Sequence, residues 1–334
     1  MIVDARPLQP EFVPGDVRHR DGEVDALTSG LQPIAAGRKT EPVLLYGPSG
    51  TGKTCIARYA IDRLRKQVVG LDTQYVNCWE DYTRFKTLYR VLEGVDRALN
   101  VHRQSTPRDE LVDRLRDAVD DPYVVVLDEV DQLEEKEVLY DLYRTSGLSI
   151  VLIANREEEL FSELGERLVS RLHTVTRIRF DRYGTDELVG ILEDRVRWGL
   201  GESCINRGKL TRIAEAAAGD ARIAIGILRA AAREADERGL DEITDDLIEQ
   251  GIPEAKAEIR QKHVQKLTDD QRVLYDVIVE RGEVAPGDLY DAYCERVDDP
   301  KSRRMVRNHL QKMQRYNLVR AEGESRSRTY SPTS

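Results

Sequence analysis

Residues 43–54, VLLYGPSGTGKT, join a short apolar run to a glycine-rich turn and then to the start of a helical pattern. The turn fits the spacing GxxxxGK[ST], in which glycines let the backbone curve around phosphate oxygens. Successive main-chain N–H groups and the helix N-terminus supply the positive potential that attracts such an anion. The stretch therefore predicts a strand, a phosphate-binding loop and a helix inside an α/β domain.

The side chains of this loop have separate predicted tasks. The ammonium group of Lys53 would reach the β- and γ-phosphates, and the hydroxyl of Thr54 would ligate Mg²⁺, so the predicted ligands are ATP or ADP with Mg²⁺. A glycine-rich turn that only caps a helix is the alternative, and the order of strand, loop and helix argues against it. The predicted nucleotide-binding residues here are Gly47, Pro48, Ser49, Gly50, Thr51, Gly52, Lys53, Thr54 and Cys55.

Acidic residues follow a second strand-like run, VVVLDEVDQL at 124–133. Asp128 would hold the metal through its water shell, and Glu129 would orient and deprotonate the attacking water. Asn155 follows the next strand-like run, where its amide could position water or sense the γ-phosphate, although a routine turn asparagine fits equally well. Because ligands bind at the carboxyl ends of parallel strands, we expect these residues to face one site.

The patterns along the whole chain predict three domains. Strand-like runs alternate with helical patterns, which is typical of an α/β domain with a largely parallel sheet, and a wholly helical lid pattern covers 184–250. Three short helical patterns and a turn-rich, strand-like end over 267–330 favour a winged helix-turn-helix domain. The expected domains are an α/β nucleotide-binding domain at 1–182, a helical lid at 183–252 and a winged-helix domain at 253–334. The strand-like runs are 43–46, 68–76, 123–127 and 149–153, and the helical patterns between them are 54–66, 81–99, 108–119 and 135–145.

Charge is unevenly distributed along the chain. The net charge is −10, yet residues 264–334 hold 13 basic and 12 acidic residues, and residues 301–315 hold six basic residues and no acidic one. No apolar run is long enough to cross a bilayer, the start has no secretory pattern, and the four cysteines lack metal-ligand spacing. We therefore expect a cytoplasmic, nucleoid-associated protein with no membrane partner.

The basic segment has the pattern of a DNA recognition helix. Val306, Leu310 and Met313 fall on one helical face, which leaves arginines for phosphates or guanine edges and glutamines for adenine edges. A basic, solvated helix with no ligand is the alternative interpretation. The insert at 80–119 also holds basic residues, but its many acids leave a DNA contact there undecided. The candidate DNA-binding residues are Lys301, Arg303, Arg304, Arg307 and Gln311 in the helix, and Arg326 and Arg328 in the following hairpin.

These motifs, taken in order, carry a family resemblance. The chain resembles the AAA+ ATPases and, more narrowly, the archaeal replication initiators related to the origin recognition complex and the cell-division-control loader. The resemblance covers essentially the whole chain. The segments that carry it are FVP at 12–14, HR at 19–20, YGPSGTGKT, VLDEVD, RLVSRL at 167–172, FDRYGTDELVGILEDR at 180–195, GDARIAIGILR at 219–229 and the C-terminal wing.

The resemblance implies roles that spacing alone could not assign. Val13, within the segment 12–20, would lie against adenine, and Tyr183 and Arg195 would border the nucleotide where the lid meets the sheet. Arg222 would be the lid's sensor arginine acting in cis. Arg171 would be the arginine finger offered to the ATP of a neighbouring protomer.

The resulting interpretation is an ATP-regulated initiator that binds double-stranded origin DNA and helps recruit or load the replicative helicase. Its expected partners are origin DNA, the helicase and further initiator copies, and its ATP hydrolysis is expected to be slow. Two alternatives stay open. One is an AAA+ helper of a transposase or helicase whose C-terminal domain docks protein; the other is a DNA-bound regulator that holds ATP without hydrolysing it.

Overall fold

The structure is a computed structural model that describes residues 1–98, 101, 106–119, 122–162, 164–201, 203–323 and 327–333. The chain divides into two compact units, Met1–Ile252 and Pro253–Ser334. The division falls at Pro253, inside a helix that spans Asp245–Gln265. No helix in the described part of the chain is long and apolar enough to cross a membrane.

The first unit contains a five-stranded parallel sheet in the order β2-β3-β4-β1-β5. Its strands are β1 (Val43–Tyr46), β2 (Asp72–Asn77), β3 (Tyr123–Asp128), β4 (Leu148–Ala154) and β5 (Thr176–Arg179). The helices around them are α1 (Asp21–Leu31), α2 (Lys53–Gln67), α3 (Arg84–Glu93), α4 (Arg108–Ala118), α5 (Glu137–Arg144), α6 (Glu157–Ser162) and α7 (Glu166–Arg171).

The strand order brings the predicted site residues together. Strand β4 lies between β1 and β3, and every residue of β3 and β4 is buried, as is typical of central strands covered on both faces. Tyr46 at the end of β1 is in register with Ala154 of β4. Asn155, the next residue, therefore follows the strand that separates the phosphate loop from the acid pair.

The predicted alternation of four strands with helices is confirmed, and its limits need correction. Strand β2 begins at Asp72 rather than at 68, and helix α3 ends at Glu93, well before 99. Strand β5 and helix α1 were not predicted. Only Ile178 is buried in β5, so this edge strand has no apolar run to reveal it.

Three further helices complete the compact part of the first unit beyond the sheet. At the start of α8 the Glu187 carboxylate accepts the N–H of Gly184 at 2.7 Å, while α9 is capped by Asn206 and α10 by Asp220. Apolar residues of α8, α9 and α10 are buried, and their helical spacing in the sequence is what predicted this lid. The helices are α8 (Thr185–Gly199), α9 (Arg207–Ala217) and α10 (Ala221–Glu237), and α11 (Asp245–Gln265) follows them.

The described residues of the second unit form the last part of α11, three further helices and an antiparallel hairpin. Val284 forms an isolated bridge with Tyr330, so the segment before the second of these three helices pairs with the last strand. Asn317 has φ 54°, a left-handed conformation that asparagine tolerates better than most residues. The elements are α12 (Asp269–Arg281), α13 (Pro286–Cys294), α14 (Arg303–Arg315), β6 (Val319–Glu322) and β7 (Thr329–Pro332).

Candidate functional site

The phosphate loop follows β1 directly and lies against the start of the lid. Gly50 has φ 76°, and a Cβ atom there would lie 2.0 Å from Asp220 Oδ1. Gly52 has φ 92°, and its Cβ would lie 2.6 Å from the hydroxyl oxygen of Tyr183. These two glycines are therefore needed both for the left-handed backbone and for close approach of the lid residues.

Lys53 begins helix α2 and is 7% exposed. Its Nζ donates to the carbonyl oxygens of Gly47 at 2.6 Å and Pro48 at 2.7 Å, and it lies 3.5 Å from Asn155 Oδ1. Burial lowers the pKa of Lys53 to about 8. The carbonyl oxygens of the loop thus hold the ammonium group. A phosphate that binds in the loop would attract this group away from them.

Asp128, at the acidic side of the site, is 6% exposed and accepts hydrogen bonds from three groups. Its Oδ2 accepts hydrogen bonds from Thr54 Oγ1 and from the Tyr75 hydroxyl, each at 2.6 Å. Its Oδ1 accepts the main-chain N–H of Glu129 at 2.8 Å. Glu129 itself has φ 55°, a strained backbone for a non-glycine residue, which places the second acid beside the cavity.

The lid is hydrogen-bonded to the phosphate loop. The main-chain N–H of Ala221, the first residue of α10, donates to the Gly50 carbonyl at 3.0 Å. Asp220 Oδ1 caps the same helix by accepting the N–H groups of Arg222 at 2.8 Å and Ile223 at 3.1 Å. Arg222 lines the cavity, and its charge contributes to lowering the pKa of Lys53, after burial.

The segment before α1 forms another wall of the cavity. Phe12 and Trp198 have ring centroids 6.0 Å apart, and the Arg195 guanidinium lies 4.8 Å from the Phe12 centroid. Arg195 is buried, and its Nη1 donates to the Pro7 carbonyl at 2.7 Å, so it holds this segment. Phe12 and Pro14 line the cavity, whereas Val13 between them does not.

Tyr183 joins this segment to the lid. The Arg20 guanidinium lies 4.1 Å from the Tyr183 ring centroid, and its Nη2 donates to the Asp181 carbonyl at 2.5 Å. Tyr183 also lines the cavity, and burial raises its pKa so that the hydroxyl stays neutral. The connection between the sheet and the lid helices therefore contacts the buried Arg20, which belongs to the segment 12–20 that the family resemblance placed against adenine.

The structure brings most predicted nucleotide residues to one cavity, and leaves others outside it. Gly47 and Pro48 do not line it, and their carbonyls accept hydrogen bonds from Lys53 Nζ. Arg171 is exposed and lies 5.3 Å from the Tyr140 ring centroid, outside the cavity of its own chain. The predicted residues that line it are Ser49, Gly50, Thr51, Gly52, Lys53, Thr54, Cys55, Asp128, Glu129, Asn155, Tyr183, Arg195 and Arg222.

The donor set beside the loop suits Mg²⁺. Among the described residues no cluster of three or more His, Cys, Asp or Glu side chains could hold a metal ion. Thr54 and Asp128 nevertheless bring a hydroxyl and a carboxylate oxygen within 2.6 Å of each other. Mg²⁺ prefers such oxygen ligands and is usually held by one or two protein groups together with phosphate and water.

The second unit presents a separate basic surface on α14. Val306, Leu310 and Met313 are buried, which confirms the predicted apolar face of this helix. Arg303 is exposed but lies 4.2 Å from the Tyr290 ring centroid and 3.5 Å from Asp291 Oδ1. Arg326 lies outside the described residues. The other candidate DNA contacts, all exposed, are Lys301, Arg304, Arg307, Gln311 and Arg328.

Comparison with known proteins decides the family. Residues 17–153 match the model of the AAA ATPase domain, and residues 189–252 match the Cdc6 AAA+ ATPase-type lid domain. The chain is 57% identical over 308 residues to ORC1-type DNA replication protein 1 of Halobacterium salinarum, which covers 92% of this chain and all of that relative. The chain belongs to the ORC1-type DNA replication proteins.

Other comparisons agree with this assignment. ORC1-type DNA replication protein 9 of the same organism is 48% identical to this ORC1-type chain, with 99% of the chain and 94% of the relative covered. The ORC1 protein of Aeropyrum pernix, solved in complex with DNA, matches with a TM-score of 0.80 and 25% identity over all of this chain and 94% of that one. Membership of the AAA+ ATPases implies nucleotide binding by this ORC1-type protein.

Three site residues of this ORC1-type chain were not predicted from its sequence. Tyr75 lies in β2, two positions before the residue in register with Asp128, so only the strand pairing reveals it. Asp220 was noted only as part of GDAR, although its position before a helical pattern is a readable N-cap signal. Trp198 meets Phe12 across more than 180 residues, for which no local pattern exists.

Proposed function

We propose that this protein is an ATP-regulated replication initiator that binds double-stranded origin DNA and helps recruit the replicative helicase. One observation carries the nucleotide part of the proposal. The phosphate loop and the first turn of α10 line the same cavity and are joined by the hydrogen bond from Ala221 to Gly50. A nucleotide bound there would contact the loop and the lid together, so lid position would depend on which nucleotide is present.

The proposed roles within the cavity follow from its contacts. Loop N–H groups and Lys53 would bind the β- and γ-phosphates, and Phe12 and Trp198 would flank the base. Thr54 and Asp128 would hold Mg²⁺, which when bound would offset phosphate charge. Glu129 would accept a proton from water, Asn155 would position that water, and Arg222 would stabilise charge on the γ-phosphate from the lid.

Slow hydrolysis is part of the proposal. Arg171 is exposed and lies outside the cavity of its own chain, where it could be offered to a neighbouring copy. An arginine supplied by a second molecule commonly accelerates phosphoryl transfer by 10³ to 10⁵, so a single protomer would lack that contribution. Nucleotide would therefore act mainly as a switch, and hydrolysis would depend on assembly with another initiator.

The DNA part of the proposal rests on α14 and the following hairpin, which we interpret as a winged-helix domain. Its exposed Arg304, Arg307 and Gln311 lie on the side away from the buried apolar face. Arginine reads guanine edges and phosphates, and glutamine reads adenine edges in the major groove. The Aeropyrum pernix relative was solved in complex with DNA, which supports the same role here.

Genome-wide mapping of bound sites tests this function. We expect the wild-type protein to occupy discrete sites that coincide with the places where replication starts. Arg304→Ala should lose this occupancy, while Arg296→Ala should keep it, because Arg296 is an exposed arginine paired with Glu280 at 2.7 Å on the same unit. Occupancy unrelated to replication starts would refute an initiator. A helper that docks protein would tolerate Arg304→Ala, and a regulator without a nucleotide switch would tolerate Lys53→Ala.

A further inference from the structure

The Tyr75 hydroxyl is the second donor to the carboxylate at the centre of the site. It donates to Asp128 Oδ2 at 2.6 Å, the same distance at which Thr54 donates to the same oxygen. In this pair the Tyr75 hydroxyl is the donor and the Asp128 carboxylate oxygen is the acceptor. The contact is thus a charge-assisted hydrogen bond in a mostly buried setting.

Tyr75 is itself held by two contacts. Its main chain is in parallel register with Val126 of β3, two residues before Asp128. The Arg58 guanidinium of α2 lies 4.4 Å from the Tyr75 ring centroid. A rigid strand and a stacked cation therefore fix the direction in which the hydroxyl points.

We infer that Tyr75 is a positioning residue that holds Asp128 in the orientation needed to bind Mg²⁺ together with Thr54 and the nucleotide. This inference rests on the proposed nucleotide function. Three donors to its two oxygens restrict the rotation of the Asp128 carboxylate. Groups that hydrogen-bond to a metal ligand in this way typically change metal affinity by about 10- to 100-fold when removed.

The test measures ADP affinity in the presence of Mg²⁺ and again in EDTA, with wild type and Tyr75→Phe. The substitution removes one oxygen atom and leaves the ring beneath Arg58. We expect the strengthening of ADP binding by Mg²⁺ to fall about tenfold in Tyr75→Phe, while ADP affinity in EDTA stays at the wild-type value. Tyr59→Phe is the matched control, because the Tyr59 hydroxyl contacts Arg63 on the surface of α2, and it should match wild type in both conditions.

A double-mutant cycle shows whether Tyr75 acts through Asp128. Tyr75→Phe should have no further effect on the Mg²⁺ response once Asp128 is replaced by Asn, since the two changes share one interaction. An unchanged Mg²⁺ response in Tyr75→Phe, an equal loss of ADP affinity in EDTA, or a full effect in the Asp128→Asn background would overturn the inference. Failure of the wild-type protein to bind ADP at all would instead overturn the proposed nucleotide function.

Discussion

Replacing Asp220 by alanine tests whether the lid helix is set against the phosphate loop by its N-cap. Asp220 Oδ1 accepts two N–H groups of the first turn of α10, and the next residue donates to the Gly50 carbonyl. Loss of an N-cap of this kind costs about 1 kcal/mol, which for a unit of this size lowers the unfolding temperature by about 2 to 4 °C. The hydrogen bond from Ala221 to Gly50 depends on the same turn.

Nucleotide affinity is the informative measurement. Without its cap, the first turn of α10 should fray. If the hydrogen bond from Ala221 to Gly50, worth about 1 kcal/mol, is lost with it, affinity for fluorescent ADP should fall about fivefold. Asp220→Asn keeps the cap and removes a negative charge beside the loop, so it should bind ADP at least as tightly as wild type. This pair of variants separates the capping effect from the charge effect.

Asn206→Ala is the matched control for stability. Asn206 caps α9 by accepting the Lys209 N–H at 3.0 Å, in the same lid but away from the cavity lining. It should lower the unfolding temperature to a similar extent and leave ADP affinity unchanged. Wild-type ADP affinity in Asp220→Ala, or an equal loss of affinity in Asn206→Ala, would refute the argument that the cap positions the lid.

Three further outcomes are expected. ADP affinity should fall as pH rises through about 8, because Lys53 of the nucleotide-free protein loses its proton there. Lys53→Met should abolish this pH dependence. A wild-type ADP affinity that does not change with pH would contradict the buried ammonium. Burial lowers the pKa of His309, whose Nδ1 lies 3.1 Å from Gln271 Nε2, so the protection factors of the α14 amides, which are corrected for intrinsic exchange rates, should decrease as pH falls below about 6.5; pH-independent protection factors would argue against it. The slope of log affinity for duplex DNA against log salt concentration should become smaller by about one for Arg307→Ala. An unchanged slope would remove Arg307 from the interface.

The parts of the fold that sequence analysis predicted depend on local patterns. The phosphate loop could be predicted because its glycines, Lys53 and Thr54 lie within eight residues, and β3 and β4 could be predicted because both are continuous apolar runs. The edge strand β5 escaped because most of its side chains are exposed. Hydrophobic patterns reveal strands whose side chains are mostly buried, and in β5 only Ile178 is buried.

The missed parts of the site depend on pairing between distant segments. The contact between Tyr75 and Asp128 exists only because β2 is next to β3 in a particular register. Similarly, Arg195 was expected beside the nucleotide, yet its guanidinium binds the Pro7 carbonyl and the Phe12 ring, which orders a wall of the cavity. The family resemblance placed Arg195 beside the cavity, but tertiary contacts determine which atom performs which task.

Calorimetric titration of nucleotide-free protein with ADP in Mg²⁺ buffer tests the central claim most directly. The claim is that the cavity shared by the phosphate loop and the lid binds an adenine nucleotide. We expect one ADP per chain, with affinity at least tenfold weaker in Lys53→Ala because a charged hydrogen bond is worth about 1.5 to 3 kcal/mol. No uptake by the wild-type protein, or equal affinity in Lys53→Ala, would contradict the account.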